Sequence, residues 1–137
     1  SEEVFRLLQE LHLAQEVAFI GPATQEELVW LYNAARFLAF PSLYEGFGLP
    51  PLEAMACGTP VVASTAGAVP EVVGEAGLLV HPNDVEGWAE AMARLWSDET
   101  LRRTLRGKGL ERAALFSWKR AARETLAVYY EAVEARR

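Results

Sequence analysis

The chain has 137 residues, a length typical of one domain, and its hydrophobic share of 51% excludes a disordered protein. A formal net charge of −6 argues against binding to nucleic acid or to anionic lipid. The single cysteine, Cys57, cannot form an intrachain disulfide, and no apolar run reaches the roughly 20 residues of a membrane span. We therefore expect a globular, cytoplasmic protein without a transmembrane segment.

The first part of the chain alternates between helices and a short apolar run. Apolar residues at helical spacing from Val4 to Leu11 indicate a first helix. Residues 17–20, followed by Gly21-Pro22, are predicted to form a buried strand and a turn. Thr24 and Glu27 have the spacing of a capping box, which opens a second helix. That helix is expected to bury Leu28, Leu31, Tyr32 and Ala35.

The rest of the chain continues this alternation. Three more strands are predicted at residues 37–40, 61–63 and 78–80, and a short helix at residues 51–57. A terminal helix over residues 117–135 begins at a Ser117 cap, and apolar stripes carrying the tryptophans and Tyr129-Tyr130 are interpreted as core. Short apolar strands between helices predict an α/β, Rossmann-like parallel sheet with helices on both faces.

Residues 41–62 are the most informative stretch, because they leave a predicted strand, pass two glycines and enter a helix. Open α/β sheets bind ligands at such a junction. Gly46 and Gly48 would allow close backbone approach, and the helix start near Pro51 favours a phosphate. Glu53, placed in the first helical turn, can accept both hydroxyl protons of a ribose. Glu45, on the loop, can face sugar hydroxyls or positive charge at an anomeric carbon.

Each of these residues also has a purely structural explanation. Glu53 near a helix start would stabilise the helix by roughly 0.3–1 kcal/mol, because its negative charge lies near the positive end of the helix dipole. Glu45 could be a solvated loop residue, and the glycines could serve a turn. Segment 64–67, after the next strand, could line a sugar pocket or form a tight turn. It is the combination at one strand-to-helix junction that favours a ligand site.

With this pattern the sequence resembles the carboxyl-terminal, donor-binding domain of retaining glycosyltransferases of the GT-B fold, glycosyltransferase family four. The resemblance rests on two glutamates with seven residues between them, Glu45 and Glu53, the first inside Pro-Ser-x-x-Glu-Gly-Phe-Gly. It continues through Glu-Ala-Met-Ala and Gly-Thr-Pro-Val-Val, and includes Val17-x-Phe19-x-Gly21 upstream and the start of the terminal helix downstream.

The resemblance implies transfer of a hexosyl group from a nucleoside-diphosphate sugar, with retention of configuration and without a metal or other cofactor. Glu45 would contact the donor sugar as the catalytic residue, and Glu53 would hold the ribose. The remaining implied donor-binding residues are Gly46, Phe47, Gly48 and Leu49 for sugar and diphosphate, and Gly21 and Pro22 near the base.

The sequence departs from the family pattern in two respects. No position matches the arginine and lysine that grip the diphosphate, and the amino-terminal acceptor domain is absent. Residues 1–137 are thus expected to be a partial domain that is inactive alone. Its missing amino-terminal domain could bind a membrane surface. The resemblance also places two missing strands in the middle of the sheet. Residues 17–20 would then pair with residues 37–40, a second copy would cover the exposed edge, or a further polypeptide would complete the sheet; self-association is favoured.

The sequence leaves one other function open and excludes a second. A non-catalytic module that binds a nucleotide or nucleotide sugar stays open. A Rossmann dehydrogenase is rejected, because Gly46-Phe47-Gly48 lacks a third glycine at Pro51. His12 and His81 have no partners at metal-ligand spacing, so no metal site is predicted. Cys57 is interpreted as a small buried residue.

Overall fold

The computed structural model describes residues 2–136, so Ser1 and Arg137 lie outside the described part of the chain. In chain order the elements are α1 (Glu2–Glu10), α2 (Gln25–Ala34), β1 (Leu38–Phe40), α3 (Leu49–Ala56), β2 (Val61–Ser64), α4 (Val69–Val73), a 3-10 turn (Gly74–Ala76), β3 (Leu78–Val80), α5 (Val85–Ser97), α6 (Glu99–Ala114) and α7 (Trp118–Glu134). The three strands form a parallel sheet in the order β1-β2-β3, with Ala39 beside Val62 and Ala63 beside Leu79.

Strand β2 lies at the centre of the fold, and all four of its residues are buried. Side chains alternate between the two faces of a strand, so neighbouring valines enter different cores. Val61 and Ala63 pack with Met55 of α3 and the valines of α4. Val62 packs on the other face with Trp88 and Leu95 of α5 and with Leu105 of α6. Helices therefore cover both faces, which confirms the predicted Rossmann-like α/β fold.

Residues 17–20, the first of the four predicted strands, do not form a strand. Phe19 and Ile20 are 58% and 63% exposed, and the ring of Phe19 contacts Phe5 of α1 at a centroid distance of 4.6 Å. A strand is stable only when a neighbour satisfies its backbone N–H and C=O groups, and within residues 2–136 no strand lies beside this run. The expected direct pairing with residues 37–40 is also wrong, and β1 remains an edge strand.

Several apolar stripes predicted to be core are exposed. Of the four tryptophans only Trp88 is buried, whereas Trp118 is 82% exposed and no residue of α7 is buried. In α2, Tyr32 is buried, Leu28 is half-buried and Leu31 is exposed, as is Ala35 just after the helix. A helical stripe shows that one face is apolar, but burial depends on what packs against that face. The prediction that Tyr129 and Tyr130 are core residues is therefore wrong.

The predicted helix caps at Thr24 and Ser117 are confirmed. At α2, the Thr24 N–H donates to the Glu27 carboxylate at 2.7 Å, and the Glu27 N–H donates to the Thr24 hydroxyl at 3.3 Å. The bond from the Thr24 backbone lowers the pKa of Glu27, with help from the Thr24 side chain. Asp84 caps α5, and Ser117 caps α7 through the Arg120 N–H. Within residues 2–136, no helix is long and apolar enough to cross a membrane.

Candidate functional site

The candidate site lies where two parallel strands end at the same edge of the sheet. Residues 41–48, the site loop, connect β1 to α3, and residues 65–68, the support loop, connect β2 to α4. The two loops touch, because the Ala68 N–H donates to the Glu45 carbonyl at 3.2 Å. Gly67 has a φ of +55°, and a Cβ there would lie 2.2 Å from the Glu45 carbonyl oxygen. Segment 64–67 therefore acts as a turn that supports Glu45.

Glu45 is not a freely solvated loop residue. It is half-buried, and its Oε1 accepts a hydrogen bond from the Ser42 hydroxyl at 2.8 Å. Its main chain is held by the support loop and its carboxylate by Ser42, so both ends of the residue are positioned. Its Oε2 accepts no hydrogen bond from the described residues, which leaves that atom available to a ligand.

Helix α3 begins at Leu49, two residues before the predicted start. Its N-cap, Gly48, has a φ of +99°, which glycine adopts easily. Pro50 and Pro51 occupy the first turn and have no N–H, so the helix offers fewer donors to an anion than its dipole suggests. This corrects the expectation that the helix itself supplies the phosphate-binding groups.

The donors lie instead in the four residues Gly46, Phe47, Gly48 and Leu49. None of their N–H groups donates to a backbone carbonyl within residues 2–136. Gly48 is buried, and buried N–H groups are nearly always paired in folded proteins. Four consecutive backbone donors without backbone acceptors form a suitable surface for the oxygens of a phosphate or a sugar.

Glu53 lies in the second turn of α3, not in the first as predicted, so the helix dipole is a weaker explanation for its presence. Its Oε2 accepts a hydrogen bond from the Tyr32 hydroxyl of α2 at 3.1 Å. Burial is the largest of the causes that together raise the pKa of Tyr32 to about 12; the others are the hydrogen bond to Glu53, the negative charge of Glu53 and a smaller effect of Cys57. Tyr32 therefore stays protonated and donates to the carboxylate.

The other expected donor-binding residues lie around this segment. The Phe47 ring packs edge-to-face on Phe116, between α6 and α7, at a centroid distance of 6.0 Å. Gly21 has a φ of +66°, and Pro22 lines an apolar cleft of about 400 Å³ beside Trp30 of α2. Residues 45–53 form one continuous loop and helix, but no hydrogen bond among the described residues joins Gly21 or Pro22 to it.

Sequence reasoning missed the role of Tyr32, which it assigned only to the core. Its contact with Glu53 spans 21 positions and depends on how α2 packs against α3. The available signal was a tyrosine at a buried helical position, since a buried tyrosine hydroxyl usually has a hydrogen-bond partner.

A second cleft, of about 300 Å³, lies at the amino ends of β1 and β2, the opposite edge of the sheet from the site loop. Its arginines mostly have structural partners. Arg102 donates to the Leu95 and Trp96 carbonyls at 2.8 Å, and Arg103 pairs with Glu99 at 3.1 Å. Arg36 stacks over the Trp96 ring at 4.2 Å. The Arg102 bonds tie α6 to α5, and the Arg36 stack ties the end of α2 to α5, so we do not take this cleft as the candidate site.

The remaining reactive side chains have structural surroundings. The Nδ1 atom of His81 accepts from the Asn83 N–H at 3.3 Å, and its carbonyl accepts from the Trp88 indole at 3.1 Å. Cys57 is half-buried at the C-cap of α3. Across residues 2–136, no three histidine, cysteine or carboxylate side chains come together in the way a metal site requires.

Comparison with known proteins gives the family of this chain. Residues 1–112 match the family model described as glycosyl transferases group 1. The chain is 43% identical over 113 residues to the O-antigen chain mannosyltransferase B of Escherichia coli, covering 82% of this chain and 30% of that protein.

Two solved structures share the fold. Sucrose-phosphate synthase from Thermosynechococcus elongatus is 40% identical with a TM-score of 0.85, covering 98% of this chain and 34% of that one. Anabaena HepE, solved in complex with UDP-glucose, is 28% identical with a TM-score of 0.77, covering 83% of this chain and 32% of that one. The chain thus spans about a third of the length of each of these three proteins. From the family match and these relatives, the chain belongs to the glycosyl transferases group 1 family and has the fold of a GT-B carboxyl-terminal domain.

Proposed function

We propose that this chain is the donor-binding part of a retaining glycosyltransferase that transfers a hexosyl group from a nucleoside-diphosphate sugar to an acceptor. The observation that carries the proposal is the row of four unpaired backbone N–H groups between two positioned carboxylates, Glu45 and Glu53. Family membership and a structural neighbour in complex with UDP-glucose support the same ligand class.

Each part of the site has a role that suits its chemistry. Glu53 accepts hydrogen bonds from the ribose diol, because a carboxylate has about four acceptor positions. The N–H groups of residues 46–49 contact the diphosphate and the sugar, and stabilise negative charge on the leaving group. The Glu45 carboxylate faces the donor sugar, where positive charge develops at the anomeric carbon. No step in this scheme requires a metal.

We propose that the base lies near the turn of Gly21 and Pro22. Pro22 and Trp30 line an apolar cleft of about 400 Å³, which offers a surface for the flat face of a base. Charged groups are sparse in this cleft, where Glu27 is the one carboxylate. Discrimination between bases would then come from shape and backbone contacts.

Nucleotide titration tests the binding role of the site. We expect UDP, GDP or ADP to bind weakly to the 137-residue chain, and Glu53→Ala to weaken the preferred nucleotide by about 1.5–3 kcal/mol, because a charged hydrogen-bond partner is lost. Glu90→Ala, at an exposed position on α5, is the matched control and should leave affinity unchanged. An unaltered affinity for Glu53→Ala would show that the ribose is not held there.

The alternative function is a binding module without catalysis, since the N–H groups of residues 46–49 and Glu53 suit a nucleotide sugar whether or not transfer follows. We propose that the acceptor site belongs to an amino-terminal domain, so that this chain alone does not transfer sugar. Incubation with UDP- and GDP-sugars and mixed acceptors should give no turnover. Turnover that Glu45→Ala abolishes would refute this part of the proposal.

A further inference from the structure

Tyr32 is held more firmly than its contact with Glu53 alone would require. The residue is only 8% exposed, and its ring belongs to the core beside Met55 and Val61. Its carbonyl accepts from the buried Thr59 hydroxyl at 2.6 Å, and Thr59 lies two residues before β2. The core and the segment before β2 therefore fix the position of Tyr32. Its hydroxyl in turn holds the Oε2 atom of Glu53 at a distance of 3.1 Å.

We propose that Tyr32 is a positioning residue for ribose recognition, which fixes the Glu53 carboxylate so that its free acceptor positions face the ribose diol. The inference rests on the proposed function of Glu53. Tyr32 uses one acceptor position on Oε2, so Oε1 and the second position on Oε2 remain for two hydroxyl groups. A carboxylate held in one orientation before binding loses less side-chain freedom when the nucleotide arrives.

The hydrogen bonds of Tyr32 to Thr59 and Glu53 set this orientation. A helical side chain points back toward the start of its own helix, so the Tyr32 and Glu53 side chains extend from the bodies of α2 and α3 toward the helix starts. The ribose contact would then be set by two packed helices. Loss of the hydroxyl group should relax that contact while the ring keeps its place in the core.

Tyr32→Phe tests the inference because it removes only the hydroxyl group. In NMR titrations of the 137-residue chain with the preferred nucleotide of UDP, GDP and ADP, we expect binding about 3- to 10-fold weaker, in keeping with one lost hydrogen bond. The ratio of affinities for the ribonucleotide and its 2′-deoxy counterpart should fall by a similar factor. Tyr130→Phe, on the exposed face of α7, is the matched control and should change neither quantity.

A double-mutant cycle separates positioning from general support of the fold. If Tyr32 acts through Glu53, Tyr32→Phe should cause no further loss in a Glu53→Ala background. An undiminished preference for ribose in Tyr32→Phe, or a loss that adds fully to that of Glu53→Ala, would overturn the inference and leave the proposed function standing. If the unaltered chain binds none of the three nucleotides, or if Glu53→Ala binds as well as it does, the proposed function is overturned and the inference with it.

Discussion

Replacement of Gly67 by alanine would place a methyl group between the support loop and the site loop. Two separate costs follow. The φ of +55° is unfavourable for alanine by about 1–2 kcal/mol. The new Cβ would lie 2.2 Å from the Glu45 carbonyl oxygen and 3.0 Å from the Glu45 nitrogen, and relief of such an overlap costs about 1–3 kcal/mol. We therefore expect Gly67→Ala to lower the free energy of unfolding by about 2–5 kcal/mol.

Two other glycines separate these costs. Gly21 has a φ of +66° with no atom within 4 Å of a built Cβ, so Gly21→Ala should show the backbone cost alone, at about 1–2 kcal/mol. Gly107, inside α6, also has open space, and alanine there should stabilise by about 0.5–1 kcal/mol.

Urea unfolding, followed by circular dichroism, gives the three free energies on one scale. The expected order of stability is Gly107→Ala, then the unaltered chain, then Gly21→Ala, then Gly67→Ala. Gly67→Ala should also weaken nucleotide binding, since the overlap pushes on the main chain of Glu45. Stability of Gly67→Ala equal to that of Gly21→Ala would refute the view that the support loop fixes Glu45 by close contact.

Further predictions concern α6, Tyr32 and the sheet edge. Arg112→Ala removes hydrogen bonds to the carbonyls of Glu71 and Val72 and should cost about 1.5–3 kcal/mol in urea unfolding, while the exposed control Arg94→Ala should stay within about 0.5 kcal/mol. Because the pKa of Tyr32 is raised, its protonated form contributes stability that is fully present below pH 10 and is lost as the pH rises through about 12. Ultraviolet titration should therefore show one tyrosine that ionises at higher pH than the others, and this late ionisation should be absent in Tyr32→Phe. The exposed edge of β1 and the apolar face of α7 favour self-association, which light scattering over a concentration series would detect; a monomer throughout, with cooperative unfolding, would contradict it.

The parts of the fold that depend on local sequence were predictable. Three strands of continuous apolar residues, the Thr24 capping box and the Ser117 cap all depend on residues within a few positions of one another. The junction at residues 41–62 was equally readable, because a strand, two glycines and a proline-led helix follow in order. These features place the site loop and both glutamates at one edge of the sheet.

The remaining features depend on what packs against them. Residues 17–20 have the composition of a buried strand, but no described strand accepts their hydrogen bonds. The stripe on α7 shows an apolar face without showing what would cover it. The Tyr32–Glu53 bond and the fit of Gly67 against Glu45 are contacts between segments distant in sequence, and a single sequence carries no direct signal for either.

The two prolines at the start of α3 have a consequence for the kinetics of binding. Pro50 and Pro51 restrict φ in the unfolded chain as well as in the folded one, so the turn that leads from the four free N–H groups into the helix has few alternative shapes. The turn is therefore already close to its ligand-bound conformation, and binding removes little conformational freedom from it. Loosening the turn would therefore shorten the lifetime of a complex more than it would slow its formation.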